Sequence, residues 1–274
     1  MSAERTLAPF GRRLAPVRTR EQHGSYVVLR CADVEGPLPQ PGQFYMLATA
    51  TRWGGGEGER PFLPRAFSVL RAVADPSGGV ELHFLIEDVG PGTKRLCELV
   101  HGDGLLIVGP LGKGFERPRD GRRALLVGGG VGIAPLAIWQ DELGSQTPAL
   151  LGFRDGACAE GAGLLSGAQV ATDDGSVGHL GLVTDLLGDE LDAGGEEIEV
   201  YACGPPAMLE AVRLICAERG VPAQLALESG MACGFGACFG CVVPTRDGYV
   251  RLCLEGPVLD AALLQTAAVA GAGH

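Results

Sequence analysis

The 274-residue sequence lacks cationic excess: 22 lysines and arginines face 33 aspartates and glutamates, a formal net charge of -11. The sequence pI is near 4.9. This excludes a nucleic-acid binder, which needs clustered cations against phosphate, and argues against docking on an anionic membrane. Long apolar runs are also missing. The longest uncharged stretch, Ala124 to Gln140, contains "VGGGVGIAP", whose glycines and proline make a turn and not a spanning helix. The N-terminus, "MSAERTLAPFGRRLAPV", has no apolar core of a secretory signal, so a cytoplasmic location is expected. Without export, nine cysteines should stay as thiols or bind metal, and an odd count fits a disulfide framework poorly. There is no internal repeat.

What is present suits a globular chain. Hydrophobic residues make up 46%, and the mean hydropathy is +0.19. The length fits one large domain or two ordinary ones. Residues 26 to 110 read as β. "SYVVLRCADV", "GQFYMLAT", "RAFSVLRAV", "VELHFLIEDV" and "GLLIVGPLG" are short apolar or alternating runs, separated by turn chemistry such as "DPSGG". Strands at this spacing predict an antiparallel barrel or sandwich. "TRWGGGEGERP" reads as a mobile loop, and Trp53–Glu59 within it receives no role.

Near residue 122 the rhythm changes to strand and helix in alternation. "RALLVGGG", "PALLGFRD", "AQVATDD" and "EIEVYACGP" read as strands. "IAPLAIWQDELG", "GLVTDLLGDEL" and "PAMLEAVRLICAERG" read as helices. That order predicts an α/β half with a mostly parallel sheet. An Ala-rich tail reads as a short helix.

Between them lies "ESGMACGFGACFGCVV", residues 228 to 243. Cys233, Cys238 and Cys241 follow a C-x4-C-x2-C spacing, and Cys253 comes eleven residues later. Zinc knuckles prefer two C-x-x-C-type pairs. The order here is the plant-type [2Fe–2S] pattern. Zinc stays as the alternative, with a metal-free loop behind it. Glycines 234, 236 and 240 let the backbone wrap closely and aim N–H groups at sulfur. Of the other cysteines (31, 97, 158, 203 and 216), four read as small buried hydrophobes.

"LLVGGGVGIAPL" follows a strand and opens a helix, a generic phosphate loop. Gly129, Gly130 and Gly132 would let a pyrophosphate reach the helix N-terminus. Taken alone, the loop is equally a tight turn with no ligand. Cys203 and Gly204 end a later strand, across the same crevice, and Cys203 reads as a nicotinamide neighbour. In the first half, "RAFS" offers Arg65 to a phosphate, Phe67 as a flat surface and Ser68 as a hydroxyl partner for a ring atom. Gly92 and Thr93 in "VGPGTKRL" could open a helix whose N-terminus takes a pyrophosphate. That set suits FAD. Asp173 and Asp174 follow another strand, where a carboxylate would accept from a ribose 2′-hydroxyl and repel a 2′-phosphate. Arg154 counts on the other side, towards NADP.

With these segments in this order, the sequence resembles the ferredoxin–NAD(P) reductase superfamily. Within it the chain is similar to the electron-transfer subunits of bacterial NAD-dependent dihydroorotate dehydrogenases. The resemblance rests on "RPFLPRAFSV", "GPGT", "GGGVGIAPL", "TDDGSVGHLGLVTDLL", "CGPPAML", "MACGFGACFGCVV" and "CLEGPVLDA". It implies an FAD-binding barrel over 1–120, an NAD-binding α/β domain over 121–224 and a [2Fe–2S] subdomain over 225–274. It implies FAD held by Arg65, Ala66, Phe67, Ser68, by Leu85, Ile86, Glu87, and by Gly92 with Thr93. It implies NAD in the second domain and the cluster on Cys233, Cys238, Cys241 and Cys253. The implied partner is an FMN-bearing dihydroorotate dehydrogenase catalytic subunit, in a heterotetramer. Electrons would pass from dihydroorotate through the cluster and FAD to NAD+, in pyrimidine biosynthesis. Three readings remain beside it: a subunit serving a sulfide dehydrogenase, hydrogenase or glutamate-synthase-type complex; a stand-alone NADH-dependent flavin reductase; and a redox-sensing module that does not turn over.

Overall fold

A computed structural model describes residues 6–9, 11–54, 61–76, 78–119 and 121–269. Most of the Trp53–Glu59 loop therefore lies outside the described residues. Among the described residues no helix is long and apolar enough to cross a membrane.

Six strands close an antiparallel barrel in the order β1-β2-β5-β4-β3-β6. They are β1 (Arg13–His23), β2 (Tyr26–Asp33), β3 (Phe44–Thr49), β4 (Arg65–Ala74), β5 (Val80–Glu87) and β6 (Gly104–Leu111), with helix α1 (Pro91–Cys97) between the last two. Period-2 alternation sorts their side chains. In β3, Tyr45 and Leu47 fill the barrel interior, while Phe44 and Met46 point outward into a second apolar cluster. All six β3 residues are therefore buried. Near the barrel wall, Arg13 donates two hydrogen bonds to Asp33 and one to the Gly109 carbonyl. Removing one partner of such a buried pair costs about 3–5 kcal/mol.

Seven further strands form a second sheet, β10-β9-β8-β7-β11-β12-β15. They are β7 (Arg123–Gly129), β8 (Ala149–Phe153), β9 (Gln169–Thr172), β10 (His179–Leu180), β11 (Ile198–Cys203), β12 (Ala223–Ala226) and β15 (Val258–Asp260). Five pairings are parallel, and β15 runs antiparallel to β12. Helices α2 (Ile133–Leu143), α3 (Gly156–Ala159), α4 (Val183–Asp192) and α5 (Pro206–Arg219) connect them. Helix α2 is buried from Ile133 through Gln140, because it is wedged between sheet and barrel. One apolar cluster joins Tyr26, Leu70 and Leu85 of the barrel to Ile133, Trp139 and Tyr201. Pro206 opens α5 and Gly220, at φ 66°, closes it in the left-handed region.

The cysteine segment is an excursion between two sheet strands. The chain leaves β12, makes the irregular loop, folds the hairpin β13 (Val242–Thr245) and β14 (Gly248–Arg251), and returns as β15. The expected division at 224/225 falls inside β12. Two features differ from the sequence reading. Strand β1 lies outside the stretch read as β. The Ala-rich tail holds a single 3₁₀ turn, Ala261–Leu263, before irregular chain. Its last residues, 270–274, lie outside the described residues.

Candidate functional site

A cavity of about 490 Å3 opens where barrel, sheet and cysteine segment meet. Arg65, Ala66, Phe67, Ser68, Leu85 and Thr93 line its barrel side. Gly132 and Cys203 line the sheet side, and Met231, Ala232 and Gly240 the cysteine side. Residues from 44 to 257 in sequence thus share one space.

Each segment reaches it for a local reason. Arg65–Ser68 begin β4, paired with Phe44–Leu47 of β3. Gly92 packs beneath the Arg65 guanidinium, and an added Cβ would stand 3.0 Å from Arg65 Nε. Arg65 Nη1 donates to the Leu63 carbonyl at 2.7 Å, and among the described residues no carboxylate pairs with it. Thr93 is occupied within its own turn: its hydroxyl accepts from the amides of Val89 and Gly90 and donates to the Gly90 carbonyl. Leu85 faces the cavity, whereas Ile86 points into the barrel core. Glu87 is ion-paired with Arg154 of the sheet half.

On the sheet, Gly128 pairs with Cys203 across β7 and β11. The glycine loop and the "CGP" segment therefore leave their strands side by side. A Cβ on Gly132 would lie 2.5 Å from the Cys203 carbonyl oxygen, and one on Gly129 2.6 Å from Met208 Sδ. The position of Gly130, at φ 54°, is open, with the Tyr26 hydroxyl 4.0 Å from where a Cβ would sit. Gly204 packs on the Gly129 amide, so no side chain fits between the two loops. Burial, and secondarily the Glu228 carboxylate, pushes the Cys203 thiol well above its ordinary value. It stays protonated. Asp173 and Asp174 are exposed beyond β9, away from the cavity. Asp174 accepts from the Ser176 amide and hydroxyl, which lowers its pKa.

Sequence reasoning missed Glu228 and Ser229, which line the cavity just after β12. Glu228 is exposed along the cavity wall, and the protein crowded around that cavity raises its pKa. Among the described residues the buried Ser229 hydroxyl has no hydrogen-bond partner. The available signal was position: both follow a parallel strand end, as Cys203 does.

In the cysteine loop, Cys241 and Cys253 are buried with Sγ atoms 3.2 Å apart. Cys233 is half-buried and Cys238 exposed. Burial opposes ionisation of Cys233, but backbone amides of Cys238, Phe235 and Ala237 and the Cys238 side chain bring its pKa down to about 7. Burial and the Cys241 thiol push Cys253 up to about 12. The Gly240 amide points at Cys238 Sγ, 3.4 Å away. Gly234 packs on Met46 and Gly236 on Leu254, both at positive φ. Among the described residues no group of three or more His, Cys, Asp or Glu side chains stands ready to hold a metal ion. The remaining cysteines (31, 97, 158, 203 and 216) are all buried.

A closed antiparallel barrel ahead of a parallel sheet, with a cavity at their junction, defines the ferredoxin-reductase class of two-domain flavoprotein folds. Solved structures agree. The NADH-dependent reduced ferredoxin-NADP oxidoreductase matches with a TM-score of 0.74 and 27% identity, covering 94% of this chain and 92% of that one. The ferredoxin reductase of carbazole 1,9a-dioxygenase matches in fold, at a TM-score of 0.60 and 24% identity over 77% of this chain and 66% of that one. Residues 228–265 match the iron-sulfur cluster binding domain of dihydroorotate dehydrogenase B. The dihydroorotate dehydrogenase B (NAD(+)) electron transfer subunit of Caldanaerobacter subterraneus subsp. tengcongensis is 39% identical over 89% of this chain and 94% of its own. That of Bacillus caldolyticus is 39% identical over 82% and 86%, respectively. The chain belongs to the family of dihydroorotate dehydrogenase B electron-transfer subunits.

Proposed function

We propose that this chain carries electrons from a dihydroorotate-oxidising partner subunit to NAD+, serving pyrimidine biosynthesis. One observation carries the reading. Arg65–Ser68, the glycine loop, Cys203 and the cysteine loop border a single cavity, so groups held by each would lie within reach of one another.

The residues suit the groups the family name calls for. Arg65, a guanidinium with no carboxylate partner among the described residues, would hold the FAD pyrophosphate, with Ala66, Phe67 and Ser68 along the flavin. The orphaned Ser229 hydroxyl offers a further hydrogen bond. Cys233, Cys238, Cys241 and Cys253 would supply an all-thiol donor set, and the amides beside Cys233 and Cys238 suit [2Fe–2S] sulfur. Gly130 would leave room for the NAD backbone over a turn that Gly129 and Gly132 let close tightly on the protein, and Asp173 and Asp174 would accept hydrogen bonds from its ribose hydroxyls. When bound, the cluster supplies one-electron and FAD two-electron exchange. The chain's own side chains position, and they exclude water. Cys203 stays a neutral thiol, so it adds no charge beside a nicotinamide. Residues 1–120, 121–224 and 225–274 divide this work between FAD, NAD and cluster. The partner is the FMN-bearing catalytic subunit, in a heterotetramer in the cytoplasm.

The test is reconstitution. Purified without air, the chain should carry about two irons and two sulfides, and Cys238→Ser should lose both. It should oxidise NADH with artificial acceptors and leave dihydroorotate untouched until the catalytic subunit is added. One tightly bound zinc, or dihydroorotate oxidation by the chain alone, would overturn the proposal.

A further inference from the structure

We infer that Arg154 is the cation that binds the dinucleotide pyrophosphate, in competition with its ion pair to Glu87 of the barrel. The inference rests on NAD binding over the glycine loop, as proposed above.

Ligands of open parallel sheets lie beyond the C-terminal strand ends. Within three residues of those ends stand positions 130–132, 154–156, 173–175, 181–183, 204–206 and 227–229. Arg154 is the single cation among these described residues, while Asp155, Asp173, Asp174 and Glu228 are acids. An acidic rim repels a diphosphate, so binding one there calls for a compensating positive group.

Arg154 stands in the right place for it. Gly129 pairs with Gly152 in the β7–β8 register, so Arg154 leaves the strand next to the glycine loop. Tyr26 and Cys158 connect the two. The Tyr26 hydroxyl faces the Gly130 crest, and burial, with the neighbouring Cys158 thiol next, raises its pKa. Cys158 Sγ lies 3.6 Å from Arg154 Nη2. The two aspartates follow β9, one strand further out. Charge and order along the sheet therefore separate a pyrophosphate beside Arg154 from a ribose beside Asp173 and Asp174. Arg154 is not the 2′-phosphate acceptor its sequence position alone would allow.

Its present partner fits a temporary role. The Arg154 side chain is 68% exposed and Glu87 20% exposed, so the arginine is free to turn while the glutamate is anchored at the end of β5. A phosphate group offers a guanidinium paired, more highly charged acceptors in place of one carboxylate.

The experiment measures ADP-ribose binding by calorimetry on the FAD- and cluster-loaded protein, with NADH KM and kcat for dye reduction. Arg154→Ala should weaken ADP-ribose by about tenfold or more and raise the NADH KM by more than it lowers kcat. Arg154→Lys should recover part of the affinity. Glu87→Gln, which releases the guanidinium, should tighten ADP-ribose by about threefold. Affinity within twofold of wild type for Arg154→Ala would overturn the inference. So would a loss confined to 2′-phospho-ADP-ribose, or weaker binding in Glu87→Gln, as a mere strap between domains would give. If wild-type protein binds no ADP-ribose, the NAD reading itself fails and this inference falls with it.

Discussion

Arg65 shows what one residue can contribute and how it was legible. An arginine directly ahead of an aromatic and a serine, opening a strand, is a weak tetrapeptide alone. In chain order before "GPGT" and the glycine loop it is the segment proposed to hold the flavin. Folding adds what no spacing could give: Gly92 has no Cβ because the guanidinium lies over it. A charge-assisted bond to phosphate contributes about 1.5–3 kcal/mol. Arg65→Ala should therefore weaken FAD retention by about tenfold or more, read as the ratio of flavin to protein absorbance after dilution and gel filtration. Full FAD stoichiometry in the variant would make Arg65 an ordinary surface arginine. Glu228 and Ser229 were not legible, because an acid and a hydroxyl after a short strand are common. Their meaning comes from β12 ending at the cavity.

Among elements, those with a clean period were readable and those supported by distant partners were not. The buried runs of β7, β8 and β11 announce a sheet covered on both faces. Strand β1, "RLAPVRTREQH", carries charges at five of its eleven positions if His23 is counted, and buries Arg13 beside Ala15 and Val17. Only closure against β2 and β6 makes it a strand. Strand β15 has three residues and exists because β12 offers it an edge. The Ala-rich tail was read from helix propensity, and tertiary contacts overrode it. Glu210 on α5 accepts from the Ala267 amide and the Thr266 hydroxyl, which pins irregular chain to the helix. Arg213 first, with these two donors, holds Glu210 down at about 2 against an ordinary 4.5. A depressed carboxylate stabilises the fold above its unfolded value, and that contribution fades as pH falls from about 4.5 towards 2. Glu210→Gln should lower the melting temperature at pH 7 and flatten its fall across that acid window. Amide exchange at residues 266–269 should rise with it. An unchanged acid slope would mean the tail is held by packing alone.

At the scale of the whole molecule, the cysteine segment presents the face on which the proposed partner would dock. The cavity commits the inner side of the loop to the flavin segment and glycine loop. Its outer side carries Phe235 at 59%, Phe239 at 62% and, on the adjoining hairpin, Tyr249 at 79% exposure. Three exposed aromatics beside the most exposed of four thiols are costly to leave in water. They are also what an electron-transfer contact needs, since a dry interface shortens the path and keeps solvent from the metal. The Arg251 guanidinium lies 5.0 Å over the Phe239 ring and donates to the Gly236 carbonyl, so Phe239 is held in place and does not float. A carboxylate there would be drawn to Arg251, but it would meet the partner as an unpaired charge at an apolar contact. Phe239→Glu should therefore cut dihydroorotate-dependent NAD reduction in the assembled complex by about tenfold or more. NADH-dependent dye reduction by the same variant should persist, because electrons then leave without crossing that face. Its visible absorbance must match wild type, which separates a docking defect from a lost cluster. Wild-type coupling in Phe239→Glu, with the complex intact on gel filtration, would place the partner on another face of the molecule.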